Sequence, residues 1–191
     1  SLHIMQASGG AMTVDAVHNR AIRTILSGPA GGVLGALKVG ETVGEPNFVS
    51  FDMGGTSTDV SLVKDGQFQI VEETGETGYH LRMPMMDIVT IGAGGGSIVW
   101  VDTGGVLKVG PESAGADPGP ACYGVGDEAT VTDANVVLGY IDPKFFLGGE
   151  MHLDEKRAHE VIQCKVAGPT GMRVAQAAAG IVRIANANMI R

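Results

Sequence analysis

The hydrophobic and polar positions of the chain fall into short runs of strand character separated by glycine-rich turns, with helical spacing confined to a few segments. Asn47–Asp52 reads as a strand because it carries β-branched and aromatic residues. A Gly-Gly turn follows, then a second strand over Thr58–Val63. Lys64-Asp65-Gly66 holds the Asp-Gly hairpin signal, and Gln67–Glu72 is the third strand predicted. This three-strand meander is the most informative local pattern in the chain.

Around it, Leu2–Gln6 and Arg23–Leu26 read as short strands, and Thr13–Arg20 as a weak helix with Thr13 as its N-cap. Pro29 sits at a first helical position, with Val33, Leu34, Leu37 and Val39 behind it at helical spacing and Gly40 or Gly44 as the stop. Glu73–Met86 is a polar connection. Ile88–Ile91 and Ile98–Val101 read as strands flanking the glycine run Gly92–Ser97, and Val106–Val109 as another. Pro111–Gly126, with three Pro and four Gly, reads as a loop. Asp133–Leu138 starts a short helix. Asp154 caps a longer one reaching about Val166, Gly168–Gly171 is a break, and Met172–Arg191 is an Ala-rich helix.

Composition narrows the class. Of 191 residues, 44% are apolar and 18% charged, enough to bury a core. Glycine is the outlier at 30 residues, without a collagen-like period. Thirteen basic against 21 acidic side chains give a formal charge of −8, which disfavours a nucleic-acid backbone or an anionic membrane as partner. Cys122 and Cys164 form neither a disulfide framework nor a zinc spacing. With no signal segment and no long apolar run, a soluble cytoplasmic protein is expected. Ser1 leads straight into apolar residues and Arg191 falls inside a helical pattern, so both ends read as cut from a longer polypeptide.

The candidate chemistry lies in Phe51-Asp52-Met53-Gly54-Gly55-Thr56-Ser57-Thr58-Asp59. A strand ends in an acid, and two glycines let the backbone turn sharply and approach a ligand. Gly54 and Gly55, with Thr56, Ser57 and Thr58, offer backbone N–H groups and hydroxyls suited to phosphate oxygens. Asp52 at the mouth of the turn can hold Mg²⁺, which takes one or two carboxylates and keeps several waters. Asp59 would orient a water or the metal. The alternative is a plain hairpin. No P-loop, His-Glu-x-x-His motif or nucleophile elbow is present.

Asp52-Met53-Gly54-Gly55-Thr56-Ser57-Thr58-Asp59 resembles the second phosphate hairpin of the actin-like ATPase and sugar-kinase superfamily. The chain as a whole resembles the hydantoinase A/oxoprolinase family. Leu26–Val33, Ile91–Ile98, Ser113–Gly124, Thr130–Asn135 and Gly180–Met189 carry that likeness. The resemblance implies an α/β fold, the ribonuclease H-like half of an actin-like ATPase, with a mixed sheet, flanking helices and a Gly/Pro-rich insertion near 73–126. It implies ATP and Mg²⁺ as cofactors, and phosphoryl activation of a small cyclic amide that is then opened, with Asp52 and Asp59 in catalytic roles. A hydantoinase B-type subunit or fused domain is the partner it implies. ATP-driven carboxylation of the acetone or acetophenone type is the alternative; a nucleotide-gated assembly module and a sugar or acyl kinase are others. The first-lobe phosphate hairpin and the adenosine segment of the family are not in this sequence, so the chain alone is expected to bind ATP poorly.

Other residues keep two readings. Gly92–Ser97 is a backbone wall against a ligand or a loop packed on a neighbour. Asp133 is an N-cap or faces phosphate, and Asp117 lies in the loop. His80 is a solvated loop residue or touches substrate. Cys122 lacks a nearby base and reads as a small buried residue. Asn186 and Asn188 cap or cross-link backbone, or border the nucleotide. Met5, Met53, Met83, Met85 and Met86 read as packing.

Overall fold

The computed structural model describes residues 2–74 and 81–190; His80 and the centre of the 73–86 connection lie outside the described residues. The fold is mixed α/β with several antiparallel strand pairs, and the chain divides into two compact units. The first comprises Ser1–Asp52 and Asp59–Ile91, the second Met53–Thr58 and Gly92–Arg191. The Gly-Gly turn thus groups with the later residues, and Asp52 and Asp59 on either side of it with the earlier ones.

In the first unit, β1 (His3–Met5) and β2 (Ala11–Thr13) pair antiparallel, with Ile4 opposite Met12. Thr13 caps α1 (Val14–Arg20), its hydroxyl oxygen accepting from the Ala16 N–H at 3.4 Å. The strand expected over Arg23–Leu26 is absent. A 3₁₀ turn over Ala21–Thr24 takes its place, closed by the Ile25 N–H on the Ile22 carbonyl and by the Thr24 hydroxyl on the Ala21 carbonyl. Helix α2 (Ser27–Val43) starts two residues before Pro29, inside the first turn where backbone N–H groups have no helical acceptor. Gly44, at φ 76°, ends it.

Ala30 and Val33 of α2 pack with Val63, Met86 and Ile88, and with the half-buried Leu34, Leu37, Phe48 and Phe68. Each of the larger of these side chains contributes roughly 1.5–3 kcal/mol when fully buried. The sheet beneath them places β3 (Phe48–Met53), β4 (Thr58–Lys64) and β5 (Gln67–Phe68) side by side, with β8 (Val89–Ile91) also paired to β4. The third strand expected over Gln67–Glu72 is two strands. Only Gln67 and Phe68 stay with β4. The chain then breaks away at Gln69, and β6 (Ile70–Thr74) pairs with β7 (Leu81–Met86), Ile70 opposite Met86. The expected polar connection therefore contains a strand, anchored by Met85 and Met86, each 2% exposed. Both methionines serve packing.

The second unit holds an antiparallel pair, β9 (Ser97–Val101) and β10 (Leu107–Ser113), with Val99 opposite Val109. Its helices are α3 (Val131–Val137), α4 (Glu155–Ile162) and α6 (Val174–Met189). Asp154 caps α4 as its position predicts, accepting from the Arg157 N–H at 3.0 Å. The break expected over Gly168–Gly171 falls at its far end: a π turn over Gln163–Ala167 carries the helix into α5 (Gly168–Thr170), and Gly171, at φ 67°, ends it. Small side chains at Ala134, Ala177, Ala178 and Ala185 let α3 and α6 pack closely, with Val99, Val131, Ile162, Val166 and Ile181 completing the core. Among the described residues no helix is long and apolar enough to cross a membrane.

Asp133 organises the join between the loop and α3. The N-cap is Thr130, not Asp133, and the two form a capping box. Asp133 is fully buried, and its carboxylate accepts from the Ala121, Cys122 and Thr130 N–H groups at 3.3, 2.8 and 2.9 Å, and from the Thr130 hydroxyl at 2.7 Å. Four donors replace the water that a buried carboxylate loses. Asp133→Ala leaves those donors buried without an acceptor and is expected to lower stability by roughly 3 kcal/mol. Denaturation followed by fluorescence of Trp100, the chain's one tryptophan and a residue of this unit, measures the loss.

Candidate functional site

The Gly-Gly turn belongs to the second unit, where backbone hydrogen bonds and the Ser113 hydroxyl hold it. The Gly54 N–H donates to the Ser57 carbonyl at 2.9 Å, closing the turn. The Gly95 and Gly96 N–H groups donate to the Gly54 and Gly55 carbonyls at 3.0 and 2.6 Å. A trans peptide carries its C=O and the next N–H on opposite edges. Because the Gly54 and Gly55 carbonyls face the glycine loop, the Gly55 and Thr56 N–H groups face away from it. Neither they nor the Ser57 N–H has a hydrogen-bond partner among the described residues. Gly54, Gly55 and Thr56 are exposed and Ser57 is half-buried. Three successive amides at this accessible bend are thus without partners among the described residues.

Gly92–Ser97 is thus a loop packed on a neighbour, and the neighbour is the turn. An ideal Cβ at Gly94 would lie 2.6 Å from the Gly55 carbonyl oxygen, and one at Gly96 would lie 2.9 Å from it. Only glycine permits this approach. The loop is pinned in turn by α3: the Gly95 carbonyl accepts from the Thr132 N–H at 2.7 Å and the Thr132 hydroxyl at 2.9 Å.

The hydroxyls expected around the turn separate into different tasks. Thr58 is fully buried and its hydroxyl donates to the Ala93 carbonyl at 2.7 Å, so that hydrogen is engaged inside the unit. The Thr56 hydroxyl lies 3.2 Å from the Ser113 hydroxyl, which also accepts from the Gly115 N–H at 3.1 Å.

Asp52 and Asp59 belong to the first unit, where both line a groove of about 460 Å³ against α2. Its walls include Val39, Val43, Val49 and Phe51, all largely exposed. Asp52 is exposed, and a Cβ at Gly32 would lie 3.5 Å from its Oδ2. Asp59 accepts from the Thr90 hydroxyl at 2.6 Å. Among the described residues no cluster of three or more His, Cys, Asp or Glu forms a metal cage.

A second concavity, of about 300 Å³, lies within the second unit. Gly54, Gly55, Gly95 and Gly96 form part of its lining, as do Tyr123, Thr132 and Asn135. Burial pushes the Tyr123 hydroxyl above its ordinary range, with Cys122 and Asp133 adding to the effect. Cys122 is fully buried. Burial foremost, and then the Asp133 charge, push its thiol far above the ordinary range, so it stays protonated and packs as a small residue. Asp117 is exposed in its loop. Asn188 cross-links backbone, its amide donating to the Val109 carbonyl at 3.3 Å, whereas Asn186 is exposed. Sequence reasoning missed Ser113, Thr132, Tyr123 and Asn135 as neighbours of the turn or its cleft. The Ser113–Gly124 and Thr130–Asn135 strings held the signal, but only the fold brings them to the glycines.

The sequence model of the hydantoinase/oxoprolinase family matches residues 1–191. The chain is 42% identical over 186 residues to the caprolactamase alpha subunit of Pseudomonas jessenii, covering 97% of this chain and 27% of that one. It is 46% identical over 150 residues to the 5-oxoprolinase of Saccharomyces cerevisiae, covering 76% of this chain and 11% of the enzyme. A nucleotide-free structure of acetone carboxylase, reported for the mechanism of ATP-dependent acetone carboxylation, superposes with a TM-score of 0.84 at 35% identity. That match covers 98% of this chain and 26% of the other. The chain therefore spans about a quarter or less of the length of these relatives.

The close approach of the two glycine segments is testable. Gly94→Ala is expected to cost about 1–3 kcal/mol, because backbone rather than a flexible side chain must move. Gly92→Ala, where a Cβ meets nothing within 4 Å, should stay within about 0.5 kcal/mol of the parent. Parallel urea titrations of the two variants compare them directly.

Proposed function

The chain belongs to the hydantoinase/oxoprolinase family, and from that premise we propose that it supplies the phosphate-binding turn of an ATP-dependent enzyme that opens a small cyclic amide. The observation that carries the reading is the run of partnerless N–H groups at Gly55, Thr56 and Ser57. An enzyme that moves a phosphoryl group works mainly by positioning it and neutralising its charge. Backbone donors fixed before the ligand arrives do this without reorganising. In this reading Gly55, Thr56 and Ser57 face the phosphates, and Gly54 and Thr58, whose N–H and hydroxyl are already engaged, shape the turn that presents them.

The chemistry follows from the amide. Its nitrogen is a poor leaving group and its carbon a weak electrophile. The amide oxygen takes the terminal phosphoryl group, and the bridging oxygen of the nucleotide leaves with the electron pair of the broken P–O bond. Water adds to the carbon, the C–N bond breaks with its electron pair going to the nitrogen as that nitrogen is protonated, and a second water hydrolyses the acyl phosphate that remains to the carboxylate and inorganic phosphate. The free carboxylate of Asp52 fits Mg²⁺, which needs one or two carboxylates and fills its remaining positions with water and phosphate oxygens. Asp52 would hold that ion, whose chemistry is neutralisation of phosphate charge. Asp59, oriented by Thr90, would position water or the metal.

The names of the relatives support the wider assembly. One is the alpha subunit of a caprolactamase, which favours a hydantoinase B-type subunit or fused domain as partner here too. The lengths of the relatives favour a longer parent polypeptide. The actin-like, ribonuclease H-like lobe and a cytoplasmic site of action belong to the same proposal. ATP-driven carboxylation is the second reading, favoured by the acetone carboxylase superposition; dependence on bicarbonate separates it from ring opening.

Asp52→Asn in the full-length protein is expected to reduce cyclic-amide-dependent ATP hydrolysis by at least a hundredfold, with the circular dichroism spectrum and melting curve unchanged. Turnover at the parent rate removes Asp52 from the site.

A further inference from the structure

The cleft of about 300 Å³ in the second unit shares Gly54 and Gly55 with the proposed phosphate turn. Its volume is at the low end of small-molecule sites. Pro120, Ile141 and Phe146 give it apolar walls, and Tyr123 closes one side with its ring 5.8 Å from that of Phe146, centroid to centroid. Into this lining α3 brings Asn135, half-buried, whose carboxamide has no hydrogen-bond partner among the described residues. Thr132, the other polar side chain of α3 in the lining, already donates its hydroxyl hydrogen to Gly95. Asn135 is therefore the carboxamide left available to a ligand.

We infer that the cyclic amide sits in this cleft and that Asn135 recognises it by pairing its carboxamide edge to edge with the ring amide. The inference rests on the proposed function and names the seat of its substrate. A small ring holds its amide cis, so its N–H and C=O emerge from one edge. A primary carboxamide also presents one N–H and its C=O on a common edge, so the two edges close two hydrogen bonds in one plane. Open-chain amides are trans and show these groups on opposite edges, so they form only one of the two bonds. Asn135 thus selects rings over linear amides. The substrate carbonyl oxygen keeps a second lone pair for the phosphoryl group, and the hydrocarbon of the ring rests on Ile141 and Phe146. A polar pair lost from such a site is costly because the remaining group stays unpaired.

The test uses the full-length protein with its partner chain and three probes, caprolactam, 5-oxoproline and hydantoin, keeping whichever stimulates ATP hydrolysis. Asn135→Ala, and the isosteric Asn135→Asp that lacks the N–H donor, should each raise KM for that probe at least tenfold while KM for ATP stays put. The preference for the ring over N-methylacetamide should shrink in both variants. An unchanged KM for the ring in either variant overturns the inference and leaves the ATP-dependent reading standing. A parallel rise in KM for ATP marks Asn135 as merely structural and overturns it also. If no probe stimulates hydrolysis by the parent protein, the functional reading fails and the inference fails with it.

Discussion

Two glycine segments are pressed backbone to backbone, and the geometry of the turn follows from that contact. The Gly95 and Gly96 amides take the Gly54 and Gly55 carbonyls, and planarity of the peptide group then dictates where the next amides point. The outward direction of the Gly55 and Thr56 N–H groups is a consequence of what the Gly54 and Gly55 carbonyls are bonded to. Any side chain at Gly94 or Gly96 would displace the carbonyl of Gly55, and with it the amide of Thr56.

The rest of the second unit serves to hold that contact still. Thr132 ties the glycine loop to α3 through two hydrogen bonds on the Gly95 carbonyl. One residue further on, Asp133 gathers the Ala121–Cys122 turn and the Thr130 cap around a buried carboxylate. The same short helix thus fixes the loop behind the turn and carries Asn135 in the cleft beside it. Such a chain of fixed groups is what a site needs if its donors are to be in place before a ligand arrives.

Much of this was legible in the residues, and the failures have identifiable physical causes. Thr13 and Asp154 announced their helices because capping is local chemistry. The turn at Gly54-Gly55 was legible because a strand ending in an acid and followed by paired glycines is itself a chemical statement. The split of the third strand was not, since nothing in Gln67–Glu72 says that β7 will compete with β4 for its partner. Asp133 reads from the sequence as a cap or as a phosphate-facing acid, because Asp and Thr are both good N-caps, and only the fold shows that the carboxylate reaches back to residues 121 and 122. The roles of Ser113, Thr132 and Asn135 depend on contacts across 37 to 58 positions of sequence or on a cleft formed by them, which spacing alone does not encode.

The central claim concerns three amides, and hydrogen–deuterium exchange reads them individually. In the full-length protein without nucleotide, the Gly55, Thr56 and Ser57 amides should exchange as fast as an unstructured loop. Saturation with Mg-ATP should slow all three, while the Gly95 and Gly96 amides, already bonded, change little. Exchange at Gly55–Ser57 that is slow before nucleotide is added, or unaltered at saturation, contradicts the account.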